Sequence, residues 1–537
     1  MNKKAWYQSA VFYELHTRAF HDSNNDGIGD LTGITQKLDY IKELGVDCIW
    51  LLPIFSSPLK DDGYDISDFY DIHPDLGTME DFKELIKETH KKDMRIIADM
   101  VVNHTSDQCN WFKKAEEDPE SPYHDYYVWS DTDKKNRDAR IIFIDTETSN
   151  WAWSEKAQKY YWHRFYSSQP DLNYDNPAVR EEMKNILRFW LNFGIDGFRA
   201  DAVPYLFERE DTNCENLPET HQYLKELRKM MDEEYPQCAL LAEANQWPSD
   251  LRPYFADGDE FHMAFHFPIM PRIFQAIELG KSDPIIKIME ETPPIPQNCQ
   301  WCTFLRNHDE LTLEMVTGEV RQMLWDFYAP EKSMRLNLGI RRRLAPLMGG
   351  DVQKIELLYA ILFSLPGSPV IYYGDEIGMG DNTNLPDRDG LRTPMQWSSK
   401  INSGFSERRD GNLFSPVIDS EKFNYMNINV EEQVNNPNSL LNKIRKLIKA
   451  RKKYPAFSTH NLTFLKNHSS EVLSIIRDDG QERIHCFHNL SGSKQSIKPG
   501  IENFSIILGT SSSSEIEKSN KGKITLKPYS FVWLLEK

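Results

Sequence analysis

FGIDGFRADAV (residues 193–203) contains a short, largely apolar run that ends on a charged residue, Asp201. This pattern indicates a buried strand whose last residue emerges at the carboxyl edge of a sheet, the edge that carries the chemistry in an α/β barrel. The pattern recurs in CALLAE, which ends on Glu243, and in QWCTFLRNHD, which ends on Asp309. One such carboxylate could be an ordinary strand-end charge, but three in series predict side chains that face one pocket.

Strand-like runs alternate with amphipathic helical patterns over most of the chain, which predicts parallel strands connected by helices. Eight such strands in series predict an α/β fold, a (β/α)8 TIM barrel. The predicted strands are residues 10–18, 48–53, 95–104, 195–201, 238–243, 260–267, 300–307 and 368–376. The clearest helical patterns cover residues 33–45, 78–92 and 176–194.

Two stretches interrupt this alternation and a third follows it. Residues 105–172, rich in Trp, Tyr and Asp, are too long for a loop and predict an inserted B subdomain after the third strand. Residues 310–352 predict a second insertion, between the seventh and eighth strands. The barrel is assigned to residues 1–104 and 173–455. Short alternating runs with Gly, Asn and Ser turns predict a C-terminal antiparallel β-sandwich domain over residues 456–537.

The composition of the chain argues against some classes of binding partner. The 537 residues include 82 acidic and 63 basic side chains, and the net charge of −19 argues against nucleic acid and anionic membranes as partners. No apolar run is long enough to span a membrane, and the start, MNKKAWYQSAVFY, has no stretch of signal-peptide length. Seven cysteines, an odd number, fit a reducing compartment. These features predict a cytoplasmic protein with a small neutral ligand.

The residues around each carboxylate indicate separate roles in glycoside chemistry, which needs one acid/base and one nucleophile. Arg199 precedes Asp201 by two residues on one strand and so points to the same face, where it can keep Asp201 ionised for attack. Glu243 follows an apolar run, and partial burial raises a carboxyl pKa toward that of a general acid. Asp309 and His308 could grip sugar hydroxyls and stabilise positive charge at the reacting carbon.

Five segments resemble the conserved regions of the α-amylase clan, glycoside hydrolase family 13. They are DMVVNH (99–104), QPDLN (169–173), GFRADA (197–202), the strand ending at Glu243 and RNHD (306–309). The resemblance covers the barrel and implies that Asp201 is the nucleophile, Glu243 the acid/base and Asp309 the transition-state stabiliser. It also implies a sugar pocket lined by Tyr64, Asp65, His104, Arg199, His308 and Arg392.

The segment DSNNDGIGD (22–30) predicts a Ca²⁺-binding loop, because it places oxygen ligands at alternating positions. The expected ligands are the side chains of Asp22, Asn24, Asp26 and Asp30 and the carbonyl of Ile28. Gly33 stands where an EF-hand has its bidentate Glu, so the loop is not an EF-hand. A solvated acidic loop is the alternative. The family resemblance implies Ca²⁺ or Mg²⁺ here and therefore favours a structural metal.

The resemblance also implies a second metal site, which would hold the inserted subdomain against the barrel. Two of its side-chain ligands lie in the DMVVNH and QPDLN segments. The implied ligands are the side chains of Asn103, Asp171 and Glu208 and the carbonyls of Tyr205 and Leu206.

Three segments, residues 201–221, 307–316 and the arginine-rich 336–351, are more specific than the family pattern. They resemble the family members that interconvert maltose and trehalose. This resemblance implies intramolecular transglucosylation of a disaccharide, with retention of configuration through a covalent glucosyl-enzyme. Isomerisation requires that water be kept out, so the insertions 105–172 and 310–352 are candidate lids. Some glucose is expected to escape as a minor hydrolysis product.

Three other functions stay open at this point. The first is an α-glucosidase or oligo-1,6-glucosidase that hydrolyses short α-glucosides with the same three carboxylates. The second is an isomerase that acts on sucrose. The third is a non-catalytic amylase-like binding subunit, although such chains usually lose a carboxylate and gain a membrane anchor. Dimers and tetramers are common among such enzymes, so a homo-oligomer is open as well.

Overall fold

Eight parallel strands close into a barrel in the computed structural model, which describes residues 5–466, 468–510 and 523–537. Each strand pairs with the next one along the chain, and the eighth pairs with the first, which is the predicted TIM-barrel topology. The barrel strands are Phe12–Leu15, Cys48–Leu51, Arg95–Val101, Gly197–Asp201, Ala239–Ala242, Met263–Phe265, Gln300–Phe304 and Ser368–Tyr372. The predicted eight strands are thus confirmed, with shorter bounds.

The fourth strand, Gly197–Asp201, shows how the sequence sets the register of the barrel. A side chain at Gly197 would place its Cβ 2.0 Å from the carbonyl oxygen of Ala239, so only glycine lets strands four and five approach this closely. On its other side, this strand pairs Arg199 with Asp99 of the third strand. All five residues of this strand are buried, as expected for a parallel strand between a packed interior and a helical layer.

The helices begin and end at the signals that the sequence provides. Thr78 and Asp81 form a capping box at one start, and Asn176 caps another helix that has Pro at its first position and ends at Gly194. The predicted helix over 33–45 is two helices, separated where Lys37 leaves helical geometry. The α-helices are Thr17–Phe20, Leu31–Gln36, Leu38–Leu44, Met79–Lys91, Asn110–Glu117, Pro177–Phe193, Pro218–Glu234, Pro248–Leu251, Ile269–Leu279, Asp283–Glu291, Gly318–Tyr328, Leu344–Leu347, Val352–Ser364, Val430–Val434 and Leu440–Lys453.

Both insertions lie at the carboxyl ends of the barrel strands. Residues 105–172 contain a three-stranded antiparallel sheet, and residues 310–352 contain another. The strands are Trp129–Ser130, Trp151–Ser154 and Lys159–Trp162 in the first insertion, and Leu311–Thr312, Arg335–Leu336 and Gly339–Ile340 in the second. A short pair, Phe55–Ser56 and Asp68–Ile72, follows the second barrel strand.

The C-terminal region contains antiparallel sheets, as its alternating pattern predicts. A five-stranded sheet and a two-stranded sheet account for its strands. These are Leu462–Phe464, Val472–Asp478, Arg483–Asn489, Gln495–Ile497, Phe504–Gly509, Ile524–Leu526 and Phe531–Glu536. Residues 467 and 511–522 of the predicted domain 456–537 lie outside the described residues. Residues 1–4, the start of the segment MNKKAWYQSAVFY, lie outside them as well. No helix in the described part of the chain is long and apolar enough to cross a membrane.

Candidate active site

The three carboxylates predicted from the strand ends meet in one pocket at the carboxyl end of the barrel. Asp201 is the last residue of strand four, Glu243 directly follows strand five, and Asp309 lies five residues after strand seven. Tyr64 and His104 also line this pocket. The geometry therefore brings together residues that are widely separated along the chain.

One buried arginine contacts both carboxylates that glycoside chemistry would use. Nη1 of Arg199 lies 2.6 Å from an oxygen of Asp201 and 2.6 Å from one of Asp99, and Nη2 lies 2.5 Å from Glu243. The Arg199 side chain is 1% exposed, so these contacts form away from water. Arg199 thus fixes the orientation of Asp201 and Glu243 from beneath the pocket.

Burial raises the pKa of both carboxyls that face the reacting bond. It raises the pKa of Asp201 to about 6, against the opposing effect of Arg199. It raises the pKa of Glu243 to about 7, and the negative charges of Asp201 and Asp309 act in the same direction. Of the two carboxyls, Glu243 has the higher pKa and therefore keeps its proton to a higher pH. Near neutral pH the pair can therefore present one anion and one acid.

Asp309 is held as an anion by three cationic side chains. Arg388 donates to it at 2.9 Å and Arg392 at 3.1 Å, and Nε2 of His308 lies at 3.1 Å. Although burial opposes ionisation, these neighbours hold the pKa of Asp309 well below its usual range. Burial disfavours the charged form of His308, but Asp309 and then Glu14, 2.5 Å away, raise its pKa to about 9. Asp309 and His308 form an ion pair at the pocket wall, in which His308 is buried and Asp309 is partly exposed.

Tyr64 and His104 form the floor beside this ion pair. The Tyr64 hydroxyl donates to Asp99 at 2.8 Å and lies 2.7 Å from Nε2 of His308, and the two rings stack at 5.4 Å. Burial lowers the pKa of His104 to about 4, so this ring is neutral near neutral pH. A neutral ring suits both of its contacts, since Nε2 lies 3.1 Å from the carbonyl oxygen of Tyr64 and Nδ1 lies 3.4 Å from the side-chain nitrogen of Asn103.

A network of polar contacts beside the pocket joins both insertions to the barrel. Arg140, in the first insertion, lies 2.8 Å from Glu215 and 3.0 Å from Glu314 in the second insertion. Asn245, two residues after Glu243, donates to Glu314 at 2.8 Å. Glu314 is the partner shared by Arg140 and Asn245, so the two insertions are connected beside the acid/base segment.

The loop predicted to bind Ca²⁺ is compact and internally hydrogen-bonded. Asp22 accepts backbone N–H bonds at 2.7 Å from Asn25 and 2.8 Å from Gly27, and Asp30 accepts from Ser23 and Gly33. Within the described residues, no three His, Cys, Asp or Glu side chains are grouped so as to hold a metal ion. A metal in this loop therefore stays a prediction. Its expected ligands are the side chains of Asp22, Asn24, Asp26 and Asp30 and the carbonyl of Ile28.

The second predicted metal site contains three buried oxygen atoms without a hydrogen-bond partner. They are Oδ1 of Asn103, Oδ2 of Asp171 and Oε1 of Glu208. Burial raises the pKa of Asp171 to about 8 and that of Glu208 well above its usual range. Unpartnered buried oxygens of this kind fit a hard cation, which prefers carboxylate and amide ligands. Tyr205 and Leu206, the predicted carbonyl ligands, are buried just before Glu208.

A profile of the family described as "Alpha amylase, catalytic domain" matches residues 14–328 and 340–460. The chain belongs to the alpha-amylase family. It is 52% identical to "Trehalose synthase/amylase TreS" of Mycolicibacterium smegmatis, over 98% of this chain and 92% of the relative. It is 52% identical to "Trehalose synthase" of Pimelobacter sp., over 92% of this chain and 88% of the relative.

Solved structures of alpha-amylase family enzymes share this architecture over the full chain. The crystal structure of an alpha-glucosyl transfer enzyme, XgtA, superposes with a TM-score of 0.82 at 26% identity and covers 100% of both chains. The chain is therefore an enzyme of the alpha-amylase family.

Of the six residues predicted to line the sugar pocket of this alpha-amylase barrel, Tyr64 and His104 do so. The other four, Asp65, Arg199, His308 and Arg392, are buried behind its surface. Asp65 is fully buried and accepts hydrogen bonds from Ser57 and from the backbone of its own loop, so the expectation of a direct sugar contact is wrong for this side chain. Asp61 lines the pocket instead. Arg392 lies behind Asp309, whereas Arg388 reaches the pocket wall.

Several pocket residues were missed by the sequence reasoning. They come from the two insertions and from the segments after strands two, five, six, seven and eight, where no apolar period marks them. The missed lining residues are Asp61, Ile142, Phe143, Phe165, Asn245, Phe267, Asn307, Glu310, Thr312, Glu314 and Arg388. The only available signal was the high Trp and Tyr content of the first insertion, which does not single out a residue.

Proposed function

We propose that this alpha-amylase family enzyme interconverts maltose and trehalose by intramolecular transglucosylation. The observation that carries the proposal is the Arg140 bridge between Glu215 and Glu314, which joins the first insertion to the second beside the pocket of the paired carboxylates. We infer that this bridge closes the pocket. An isomerase needs such closure, because the released sugar must stay while water is kept out. The names of the relatives from Mycolicibacterium smegmatis and Pimelobacter support the same choice of substrate.

In the first step, Asp201 attacks the anomeric carbon of the non-reducing glucose and forms a covalent glucosyl-enzyme. Glu243 donates its proton to the bridging oxygen, so the second glucose leaves with an intact hydroxyl. The pKa of Asp201, about 6, and that of Glu243, about 7, suit these roles near neutral pH. Asp309 stabilises the positive charge that develops at the reacting carbon.

In the second step, the freed glucose turns within the closed pocket and presents its anomeric hydroxyl. Glu243, now ionised, removes the proton of this hydroxyl, and the oxygen attacks the glucosyl carbon as Asp201 leaves. The product is an α,α-1,1 bond, because two inversions at one carbon restore the α configuration. Water that reaches the intermediate gives glucose instead, which accounts for a minor hydrolysis.

The walls of the pocket support retention of the freed glucose. Phe143 and Phe165 from the first insertion and Phe267 from the barrel line the pocket with apolar rings. Rings of this kind stack on sugar faces. Asn245 and Glu314 offer hydrogen-bonding groups at the same end. A glucose can therefore be held there without one fixed orientation.

We also propose a structural cation, Ca²⁺, held by Asn103, Asp171 and Glu208 with the carbonyls of Tyr205 and Leu206. The three unpartnered oxygens support this proposal. Such an ion would join the inserted subdomain to the barrel and supply no chemistry to the reaction. Ca²⁺ or Mg²⁺ in the loop from Asp22 to Asp30 is proposed on the spacing of its oxygen ligands alone.

The test is to incubate the purified enzyme with maltose and follow the anomeric protons by NMR, with Asp201→Asn as the control. The proposal predicts that trehalose accumulates while glucose stays minor, and that the control forms neither. If glucose is the main product, the enzyme is a hydrolase of short α-glucosides and the proposal is wrong.

A further inference from the structure

The arginine-rich segment of the second insertion holds the loop that follows the eighth barrel strand. Arg343 donates to the carbonyls of Tyr373 at 2.7 Å and Leu391 at 2.9 Å. Nε of Arg342 lies 3.0 Å from both carboxylate oxygens of Asp381. These two arginines therefore anchor the two ends of the 381–392 loop.

Arg341 holds the middle of the same loop. Its guanidinium donates to the carbonyls of Thr383 at 2.9 Å, Leu385 at 2.8 Å and Asp387 at 2.6 Å. Its Nε donates to the carbonyl of Ser333, within its own insertion, at 2.7 Å. The planar guanidinium holds its N–H donors in fixed directions, which suits binding to three alternate carbonyls of one loop.

The loop needs this support because of its backbone conformation. Asp387 has a φ of 41°, a left-handed conformation that is unfavourable for a residue with a side chain. Arg341 binds its carbonyl, and the Tyr166 hydroxyl donates to its carboxylate at 3.1 Å. The two contacts hold Asp387 in a conformation that it would otherwise leave.

The next residue is Arg388, which reaches the pocket. It donates to Asp309 at 2.9 Å and to Asp61 at 2.6 Å, and its guanidinium lies over the ring of Phe143 at 5.3 Å. A shift of the backbone at Asp387 would move Arg388 away from Asp309. The position of this contact therefore depends on the carbonyls that Arg341 binds.

We propose that Arg341 is a positioning residue, which acts on the reaction by placing Arg388 against Asp309. The inference rests on the proposed role of Asp309 in stabilising charge. Arg341 itself contacts neither the pocket nor the three carboxylates. Any effect of Arg341 on the reaction must therefore pass through Arg388. A general contribution of Arg341 to folding would not depend on Arg388, so the two roles can be distinguished.

The experiment measures total maltose consumption, whatever the product, for Arg341→Ala, Arg341→Lys and the control Arg335→Ala. Arg335 lies in the same insertion and donates to the carbonyl of Ala329, away from the 381–392 loop. We expect Arg341→Ala and Arg341→Lys to lower kcat at least about fivefold with KM changed less than about twofold, because one ammonium cannot replace the planar fork. Arg335→Ala should stay within about twofold of the parent enzyme.

A double-mutant cycle with Arg388→Ala gives the decisive comparison. If Arg341 acts through Arg388, adding Arg341→Ala to Arg388→Ala changes kcat less than about twofold. If Arg341→Ala lowers kcat by the same factor in the parent enzyme and in Arg388→Ala, the inference is wrong. It is also wrong if Arg341→Ala has no effect on kcat in the parent enzyme. Should the parent enzyme release only glucose, the proposed function fails while this cycle still reports on Arg341.

Discussion

Nη1 of Arg199 lies 2.6 Å from Oδ1 of Asp201, two residues further along the same barrel strand. The i, i+2 spacing places both side chains on one face, and burial makes the contact strong. The same guanidinium reaches Glu243, so the nucleophile and the acid/base of the proposed reaction share one cation. A change at either carboxylate is therefore felt by the other.

Replacing Asp201 by Asn should lower the rate of maltose consumption at least about a thousandfold, because the nucleophile is removed while its shape is kept. The measurement is the initial rate by NMR, with thermal unfolding to show that the variant is folded. Loss of less than about tenfold in a folded variant would assign the nucleophile elsewhere.

The rate should depend on pH in a bell shape, because the reaction needs Asp201 ionised and Glu243 protonated. With pKa values of about 6 and about 7, the rate falls as pH drops below the first value and falls again as pH rises above the second. The measurement is kcat/KM for maltose between about pH 5 and pH 9. With an aryl α-glucoside, whose leaving group needs no proton, Glu243→Gln should lose the basic limb. A basic limb that persists in this variant would contradict the assignment.

Replacing Arg140 by Ala should raise the share of glucose among the products several-fold and slow trehalose formation. The change removes the contacts to Glu215 and Glu314 that close the pocket, so water reaches the glucosyl-enzyme more often. The ratio of trehalose to glucose at equal maltose consumption measures the effect. Arg188→Ala, which removes a surface ion pair with Glu234, is the control. An unchanged ratio would show that the bridge does not exclude water.

Added Ca²⁺ should raise the unfolding temperature by a few degrees, and a chelator should reverse the shift, because an ion that binds only the folded state stabilises it. Asp171→Asn should reduce the shift, since it removes a charged ligand from the cluster of unpartnered oxygens. Any shift that remains is assigned to the proposed site in the loop from Asp22 to Asp30. Glu84→Gln, a change at an exposed position of the helix Met79–Lys91, should leave the whole shift intact. A shift of unchanged size in Asp171→Asn would contradict a cation at this cluster.

The sequence predicts the carboxylates well because each ends an apolar run, a local pattern that fixes both the strand and its last residue. Asp61 and Asp65 could not be told apart in this way, because both lie beside Tyr64 in one acidic segment. Left-handed backbone at Leu59 and Asp62 decides which carboxylate faces the pocket, and no apolar period reports it.

The contacts that complete the pocket depend on distant segments. Arg388 meets Asp309 from 79 positions further along the chain, and both lie in irregular structure. Phe143 and Phe165 come from an insertion whose path is set by its own small sheet. Hydrophobic periodicity describes single strands and helices, so it cannot predict contacts between residues that lie far apart in the sequence.

Whether the freed glucose stays in the pocket decides between isomerisation and exchange with the solvent. It is measured by converting maltose in the presence of excess ¹³C-labelled glucose and following the label in trehalose by NMR. We expect trehalose without label, because the freed glucose turns inside the closed pocket and does not exchange. Trehalose labelled in proportion to the free glucose would contradict the proposed intramolecular transfer, and so would glucose as the only product.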